Sequence, residues 1–437
     1  MNYLEKILFA GVVLAGGCCC AQAASPYQAV VAADGSGDYL TVGEAIAAAP
    51  AVHEGAWKIL VKRGEYRELV KIPAEKKDIH LIGEGRDKTI IHHPINYGGA
   101  PDANPRYRLT DYWKWSKNNP ESSVAGDMTA VVDVRGDGFL AWGIGFVNDW
   151  GVESWSGPQA LAMYSNADRV AFGECALRSF QDTWRTPDAD SHRNYAGGCL
   201  IEGAVDYIYG GGDVFVEGST LYNVRSGSVI VAPNHGDPEW GYVFRDCVID
   251  GNFEAADGKQ KLGRPWQRKP RAVYINTIAL IPITEGGWDE MGTIPGIFAE
   301  YNTVGRDGKA VDLSRRKTHY KPNRRGKNGE DLGEGDCQAV LTPEQAAGYT
   351  YSNVVAGKDG WDPRAMMTRL ARPANLRLEG ETLSWDKVEG AIGYMVYDGE
   401  KLLGVTDECA LKVSGHPQWA YMVKAVNPSG IPGKTGV

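Results

Sequence analysis

The sequence predicts an all-β protein: a right-handed parallel β-helix solenoid followed by a small β-sandwich-like domain. Three observations predict it. Short strand-like runs follow one another from Trp57 to Ile249 with no helical periodicity between them. The chain holds 55 glycines among 437 residues, above the average share, as a turn-rich β protein needs. Polar residues recur at a steady interval: Gln159 to Gln181 is 22 residues and Asp182 to Asp206 is 24. Such intervals suit one turn of a β-helix whose coils stack about 4.8 Å apart. Residues one coil apart then lie side by side, so Gln159, Gln181, Asp182 and Asp206 can meet on one face.

The elements follow in order. Residues 1–23 read as a secretory signal, with Lys6 before the apolar run Ile7 to Leu14 and Ala21-Gln22-Ala23 as the cleavage site. That run is too short to span a bilayer. The expected destination is export, periplasmic or extracellular. Cys18, Cys19 and Cys20 make a lipoprotein anchor the competing reading, against which Gly16-Gly17 spoils a clean lipobox. Val30-Val31 opens a strand and Asp34 to Asp38 is a turn. Thr41 to Ala49 reads as a helix with Thr41 as N-cap, Glu44 as its capping-box partner and Pro50 as its stop. It is expected to cover the open end of the solenoid.

Strands are then expected at Lys58 to Lys62, Ile79 to Gly83, Thr89 to His92, Ala130 to Val134, Phe139 to Phe146, Leu161 to Tyr164, Val214 to Gly218, Ser228 to Ala232 and Val243 to Ile249. A Greek-key sandwich is the structural rival. Residues 92–127 interrupt the rhythm with Tyr97, Tyr107, Tyr112, Trp113 and Trp115 among Pro, Asn and Gly; a long aromatic loop is a functional element or a cover. Pro343 to Tyr351 reads as a second helix. Past Arg372-Pro373 the runs Leu383-Ser384-Trp385, Tyr394 to Tyr397 and Tyr421 to Val426 alternate like the strands of a small sandwich. The domains are thus 24–371 and 372–437. The tail is expected to bind polysaccharide, to act as a spacer, or to cover the last coil.

Net charge is −9 and no basic stripe is present, which excludes nucleic acid and an anionic membrane surface as partners. The local run Arg315-Arg316-Lys317, with Arg324, Arg325 and Lys327, reads as a solvated loop. Five cysteines remain after the signal, too scattered for a disulfide framework, and they read as small buried apolar residues. No CxxC or His-rich pair suggests a metal. No cofactor, no membrane span and a monomer are expected.

The chemistry-bearing stretches are Ser179 to Thr183, Val205 to Gly210 and Leu262 to Trp266. An aspartate inside an apolar strand must face something polar or be paired. Two carboxylates, Asp182 and Asp206, with two amides, Gln159 and Gln181, one cation, Arg264, and one flat ring, Trp266, are parts for acyl or glycosyl chemistry on a sugar. Each has a plainer reading. Asp182 suits a turn, Asp206 with Arg264 a structural ion pair, the glutamines an amide ladder, and Trp266 ordinary core.

Residues 29 to about 363 resemble the pectin methylesterase (pectinesterase) family. The likeness rests on Ala33 to Tyr39, Gly64-Glu65-Tyr66-Arg67-Glu68, Leu81 to Gly85, Gln159 to Ala162, Phe180-Gln181-Asp182-Thr183, Val205 to Gly210 and Leu262-Gly263-Arg264-Pro265-Trp266 in that order. The resemblance implies hydrolysis of the C6 methyl ester of galacturonate units in pectin, releasing methanol, through an aspartyl acyl-enzyme and without a cofactor. It puts the nucleophile on Asp206, the acid/base on Asp182, the oxyanion donor on Gln181, a second amide on Gln159, the arginine on Arg264 and the sugar-stacking ring on Trp266. A methyl ester needs those three things: a nucleophile, a proton for departing methanol, and donors for a tetrahedral oxyanion. Tyr209 and Trp184 are added as substrate-binding residues, with Trp150 and Trp155 expected near the cleft. Tyr207 and Tyr209 stand where the family often has phenylalanine, and Trp184-Arg185 where it has other residues. The tail resembles a fibronectin type III module on Trp385, Tyr394 and Tyr421. Two other readings stay open: a non-catalytic polysaccharide-binding β-helix, and a pectin-cleaving lyase or glycosidase on the same fold.

Overall fold

The computed structural model describes residues 25–97, 130–154, 157, 159–323, 331–356 and 359–434. The signal segment, most of the aromatic insertion, Trp155, and Arg324, Arg325 and Lys327 lie outside the described residues.

Among those residues the chain winds through three long sheets. Sheet A has ten strands, from Ala29–Val31 to Ile297–Tyr301. Sheet B has nine, from Gly64–Arg67 to Val304–Gly305, and sheet C eight, from Val70–Ile72 to Gln267–Arg268. One coil shows the path: Val170–Gly173 in A, Ala176–Arg178 in B, Trp184–Arg185 in C, then Arg193–Gly197 back in A. Each strand pairs in parallel with those one coil before and after it. This is a parallel β-helix. A Greek-key sandwich would need antiparallel neighbours.

Sheets A and B meet at a corner made by one left-handed residue per coil. Gly143, Glu174, Gly198, Gly218, Asp246, Asn276 and Asn302 hold φ between 49° and 64°. A single such residue bends the chain without a Gly/Pro cluster. For that reason Phe139 to Phe146 and Val243 to Ile249, each continuous in the sequence, divide into Leu140–Trp142 with Gly145–Asn148 and Tyr242–Arg245 with Val248–Gly251. The next residue turns inward, and successive coils place Cys175, Cys199, Ser219, Cys247, Thr277 and Thr303 there, all buried. Each cysteine thiol bonds carbonyl oxygens at 3.4–3.5 Å: Cys175 those of Ala141 and Gly173, Cys199 those of Phe172 and Gly197, Cys247 those of Val216 and Arg245. Three of the five scattered cysteines are thus rungs of one stacked ladder, while Cys337 is buried elsewhere and Cys409 is half-buried in the tail.

The interior is a continuous apolar core in which aromatic rings of neighbouring coils stack, Phe244 on Tyr274 at 4.5 Å and Trp288 on Phe298 at 4.6 Å. The helix Val42–Ala48 packs on the first coils with Val42, Ala45 and Ile46 buried. Thr41 caps it by accepting from the Glu44 amide at 3.2 Å. The amides of Val42 and Gly43 go to the Glu68 carboxylate at 2.8 and 2.9 Å, so a side chain from the next coil anchors the helix start. The run read as a helix from Pro343 to Tyr351 is two short ones, Pro343–Gly348 and Tyr351–Val354, broken where Thr350 caps the second. The basic run is not all solvated: Arg316 is 5% exposed and bonds the fully buried Glu300 at 2.5 Å, whereas Arg315 stays outside on Glu285.

The tail forms two three-stranded antiparallel sheets. Arg377–Glu379, Thr382–Ser384 and Ala410–Lys412 make one; Lys401–Thr406, Gly393–Asp398 and Tyr421–Val426 make the other. Trp385, Tyr394 and Tyr421 lie in the core between them. The tail does not cover the last coil. Met395, Tyr397, Val426 and Ile431 pack on Tyr27, Leu60, Ile82, Leu140 and Trp142, the outer face of sheet A over the first coils. Tyr27 donates to the Gly430 carbonyl at 2.8 Å, and Lys88 and Arg63 reach Glu400 at 2.6 and 3.1 Å.

Candidate active site

Sheet C alternates strictly between core and surface, and this alternation builds the site. Val132, Met163, Trp184, Ile208, Val231 and Gly263 are in register and point inward. Lys71, Asp133, Tyr164, Arg185, Tyr209 and Ala232 are the matching outward row. Trp184 therefore cannot bind substrate. It is 0% exposed, sits edge-on to Phe172 at 5.5 Å and donates its indole N–H to Ser165 at 2.8 Å. Its neighbour Arg185 takes the surface place instead. Trp150 is also buried, on the short helix Asp149–Ser154.

The two aspartates lie where the ladder is irregular. Gln181 makes a lone bridge to Val205, and the pairing of Val205–Gly210 with Val229–His235 shifts register between Val205 and Ile208. Such a bulge re-aims a side chain. Both carboxylates also have left-handed backbones, Asp182 at φ 63° and Asp206 at φ 49°. Aspartate tolerates this conformation better than most residues, yet two on adjacent coils mark a place where geometry is bought with strain. Coil stacking aligns the amides: the Ala160 N–H donates to the Gln181 carbonyl at 3.1 Å and the Asp182 N–H to the Val205 carbonyl at 3.0 Å.

Arg264 reaches Asp206 from two coils on. Its Nε donates to Oδ1 at 2.7 Å and its Nη2 to Oδ2 at 2.6 Å. This two-pronged fork matches an ionised carboxylate. Gly263 makes the approach possible, because a Cβ there would lie 2.4 Å from Val231 Cγ2. Burial opposes the Arg264 charge, and its bonds to Asp206 with the charges of Asp206, Asp289 and Asp182 outweigh that and raise its pKa.

One cleft of about 220 Å³ gathers Gln159, Gln181, Asp182, Asp206, Tyr209, Arg264 and Trp266, together with Ala232 and Met291. Seven of the eight residues expected from the sequence thus share one cavity, and Trp184 does not. Asp182 is 8% exposed and Asp206 7%. Burial, and then the neighbouring Asp206 charge, push the Asp182 carboxyl well above the ordinary range, while the Arg264 charge pulls against them. The two carboxyls therefore differ: one is clamped by a cation, the other is suited to hold a proton. A Cβ on Gly157 would come 2.9 Å from Gln181 Oε1, so that oxygen rests against the chain and the amide nitrogen is the group left for the cleft. Trp266 meets the Tyr209 ring edge-on at 5.7 Å and forms the wall. Among the described residues no cluster of three or more His, Cys, Asp or Glu is arranged to hold a metal.

Sequence reasoning missed Met291, Ala232 and Asp289. Their signal would have been position: Ala232 is next in the outward row, and Asp289 accepts at 2.5 Å from Lys261, which opens the strand that ends at Gly263, beside Arg264. It also missed the strip beside the cleft, where Tyr164 lies between the guanidiniums of Arg135 and Arg185 at 4.4 and 4.3 Å and donates to Asp188.

A parallel β-helix with an arginine-clamped carboxylate, a proton-holding carboxyl and amide donors in one surface cleft has the parts of a β-helix carbohydrate esterase. The family model described as Pectinesterase matches residues 28–102 and 116–322, and the chain belongs to the pectinesterase family. It is 33% identical over 269 residues to a pectinesterase of Daucus carota, covering 59% of this chain and 75% of that one. It is 28% identical over 297 residues to the probable pectinesterase/pectinesterase inhibitor 13 of Arabidopsis thaliana, covering 64% and 44%. The chain thus spans under half the length of several of the curated relatives it matches. Among solved structures, pectin methylesterase from carrot superposes with a TM-score of 0.59 at 28% identity, covering 76% of this chain and 94% of that one. Pectin methylesterase PemA from Erwinia chrysanthemi gives 0.58 at 21% identity, covering 76% and 98%, a likeness of fold.

Proposed function

We propose that this chain hydrolyses the C6 methyl esters of galacturonate units in pectin, releasing methanol and leaving carboxylates. The observation that carries the reading is the asymmetry of the carboxyl pair: Asp206 lies in the Arg264 fork, whereas burial and the Asp206 charge push the Asp182 carboxyl beside it upward. An Asp206 oxygen attacks the ester carbon. The Gln181 and Gln159 amides donate to the oxyanion. The C–O bond to the methoxy group breaks as Asp182 gives that oxygen its proton, and methanol leaves. The resulting acyl-Asp206 anhydride is attacked by water, whose proton returns to Asp182 as Asp206 departs as carboxylate. Trp266 offers its face to the apolar side of a sugar ring.

The same reading takes residues 1–23 as an export signal, residues 24–371 as the catalytic domain and 372–437 as a fibronectin type III-like module, in a monomer. The two three-stranded sheets of the tail and its Trp385, Tyr394 and Tyr421 core favour that module. The test is to incubate the protein with methylated pectin and follow methanol, new reducing ends and unsaturated ends together. Methanol without chain cleavage is the expected result. Chain cleavage without methanol would mean a lyase or glycosidase, and neither product would leave a binding protein.

A further inference from the structure

We propose that Trp419 is the platform of a second polysaccharide site, on the tail and away from the cleft, where its indole stacks on a galacturonan chain. The identity of that polymer rests on the pectin reading above. Trp419 is 83% exposed, whereas every other tryptophan among the described residues is buried or half-buried. It belongs to the short 3-10 turn Gln418–Ala420, between the strands Ala410–Lys412 and Tyr421–Val426. Single apolar side chains at a surface are common and carry no meaning by themselves. What sets this one apart is a turn pinned to three other segments. The Gln418 side-chain amide donates to the Leu376 carbonyl at 2.5 Å, and the His416 ring meets the Asp398 carboxylate at 2.5 Å. The His416 N–H donates to the Tyr421 hydroxyl at 3.2 Å, and the Gly399 N–H to the Ala420 carbonyl at 3.1 Å. The backbone is held in place and its ring is left in solvent.

The surroundings select the ligand. Ser414 to Gln418 are all exposed, and apart from Gly415 and Pro417 they are polar. One indole in a polar rim offers a small apolar face with hydrogen-bonding groups around it. A protein partner needs about 1,000 Å² of complementary surface, and a membrane surface needs a longer apolar or basic face than one ring. A pyranose ring matches, with an apolar C–H face and hydroxyls along its edge. Because the turn is ordered before the sugar arrives, stacking spends little loop entropy. Glu400, next to Gly399, is held by Lys88 and Arg63 of the β-helix at 2.6 and 3.1 Å, so the Trp419 turn is fastened to the solenoid. The cleft opens on sheet C and the tail lies on sheet A, so a short sugar fills one site at a time and a long chain reaches both. Binding at one site then raises the local concentration at the other, which tightens the hold on polymer without any new contact in the cleft.

The experiment compares the full chain with its Trp419→Ala and Trp419→Tyr variants. In native gels cast with pectin, retardation of the band gives an apparent dissociation constant. Trp419→Ala is expected to weaken it roughly tenfold, as for truncation of an aromatic anchor, and Trp419→Tyr, which keeps a ring, restores most of the retardation. In steady state, the ratio of KM on long pectin to KM on a short methylated oligogalacturonide rises by a similar factor in Trp419→Ala. Unaltered retardation in Trp419→Ala would overturn the proposal, as would a loss that Trp419→Tyr does not restore. Retardation that depends on Trp419 only in gels of a neutral galactan would overturn the galacturonan ligand. A dimer in sedimentation that Trp419→Ala dissolves would make the ring a contact between two copies, and a lowered melting temperature would make it structural; either result counts against the site. Absence of methanol from the unaltered protein would instead count against the esterase reading, while the gels still decide the role of Trp419.

Discussion

The outer faces of sheets A and C are built from the same coils and have opposite characters. On sheet A the outward row runs Leu140, Ala171, Tyr195, Phe215, Val243, Val273 and Ala299 in register. It is covered by the tail over the first coils and by the helices with Tyr351 and Val354 further on. On sheet C the outward row is Lys71, Asp133, Tyr164, Arg185, Tyr209 and Ala232, and the cleft opens on it. A solenoid coil has one inside and several outsides. The lesson is that the apolar outside of sheet A recruits later parts of the chain as cover, whereas the outside of sheet C, where Tyr164, Tyr209 and Ala232 are also buried, keeps a cleft lined by polar side chains.

The comparison breaks most sharply at Asp206. Asp206→Asn keeps the shape and removes the nucleophile, so methanol release from a folded protein, checked by circular dichroism, should fall by roughly 10⁴-fold or more. Near-normal turnover would move the chemistry off this face.

Removing residues 372–437 probes sheet A. Each fully buried side chain uncovered forfeits about 1.5–3 kcal/mol, and the tail packs with Leu60, Ile82 and Leu140. Residues 24–371 alone should aggregate or melt far below the full chain. A soluble fragment with an unchanged melting temperature would show the tail to be an appendage.

Asp182→Asn should have a smaller effect on stability than removal of the tail, and the opposite sign. The folded Asp182 carboxyl keeps its proton to higher pH than the unfolded one, whose ordinary value is 3.8. Between those values the folded state binds more protons, so the stability this group contributes is full below the ordinary value and is lost as pH rises through the folded one. The amide has no such loss. The variant should melt a few degrees above the unaltered protein at neutral pH, with the gain vanishing toward pH 4, even as methanol release collapses. A melting temperature lowered at pH 7 would show that Asp182 is ionised in a supporting ion pair.

Much of this contrast was legible in the sequence. Runs such as Leu140-Ala141-Trp142 and Val214-Phe215-Val216 are apolar at every position, the pattern of a strand covered on both sides. Val132-Asp133, Met163-Tyr164 and Trp184-Arg185 alternate, and strict use of that period puts Trp184 inside and Arg185 outside. The interval between the glutamines and aspartates was enough to bring four site residues to one face. The corners were harder, because one left-handed Asp, Asn or Glu leaves no composition signal. Met291 and Asp289 follow the last paired strands of sheet C in a stretch without periodicity, and the docking of the tail on the first coils depends on contacts hundreds of residues apart.

The most direct test of the division between the faces is a matched pair, Gln181→Ala and Phe215→Ala, each measured for melting temperature and for kcat per folded molecule on methylated pectin. Gln181→Ala should lose roughly 10²–10³-fold in kcat, as for a missing oxyanion donor, with little change in melting. Phe215→Ala, which empties a covered site on sheet A, should cost about 3–5 kcal/mol of stability and leave kcat of the folded fraction intact. If Phe215→Ala cut kcat as deeply as Gln181→Ala, or if Gln181→Ala only destabilised, the two faces would not be the separate devices that their residues imply.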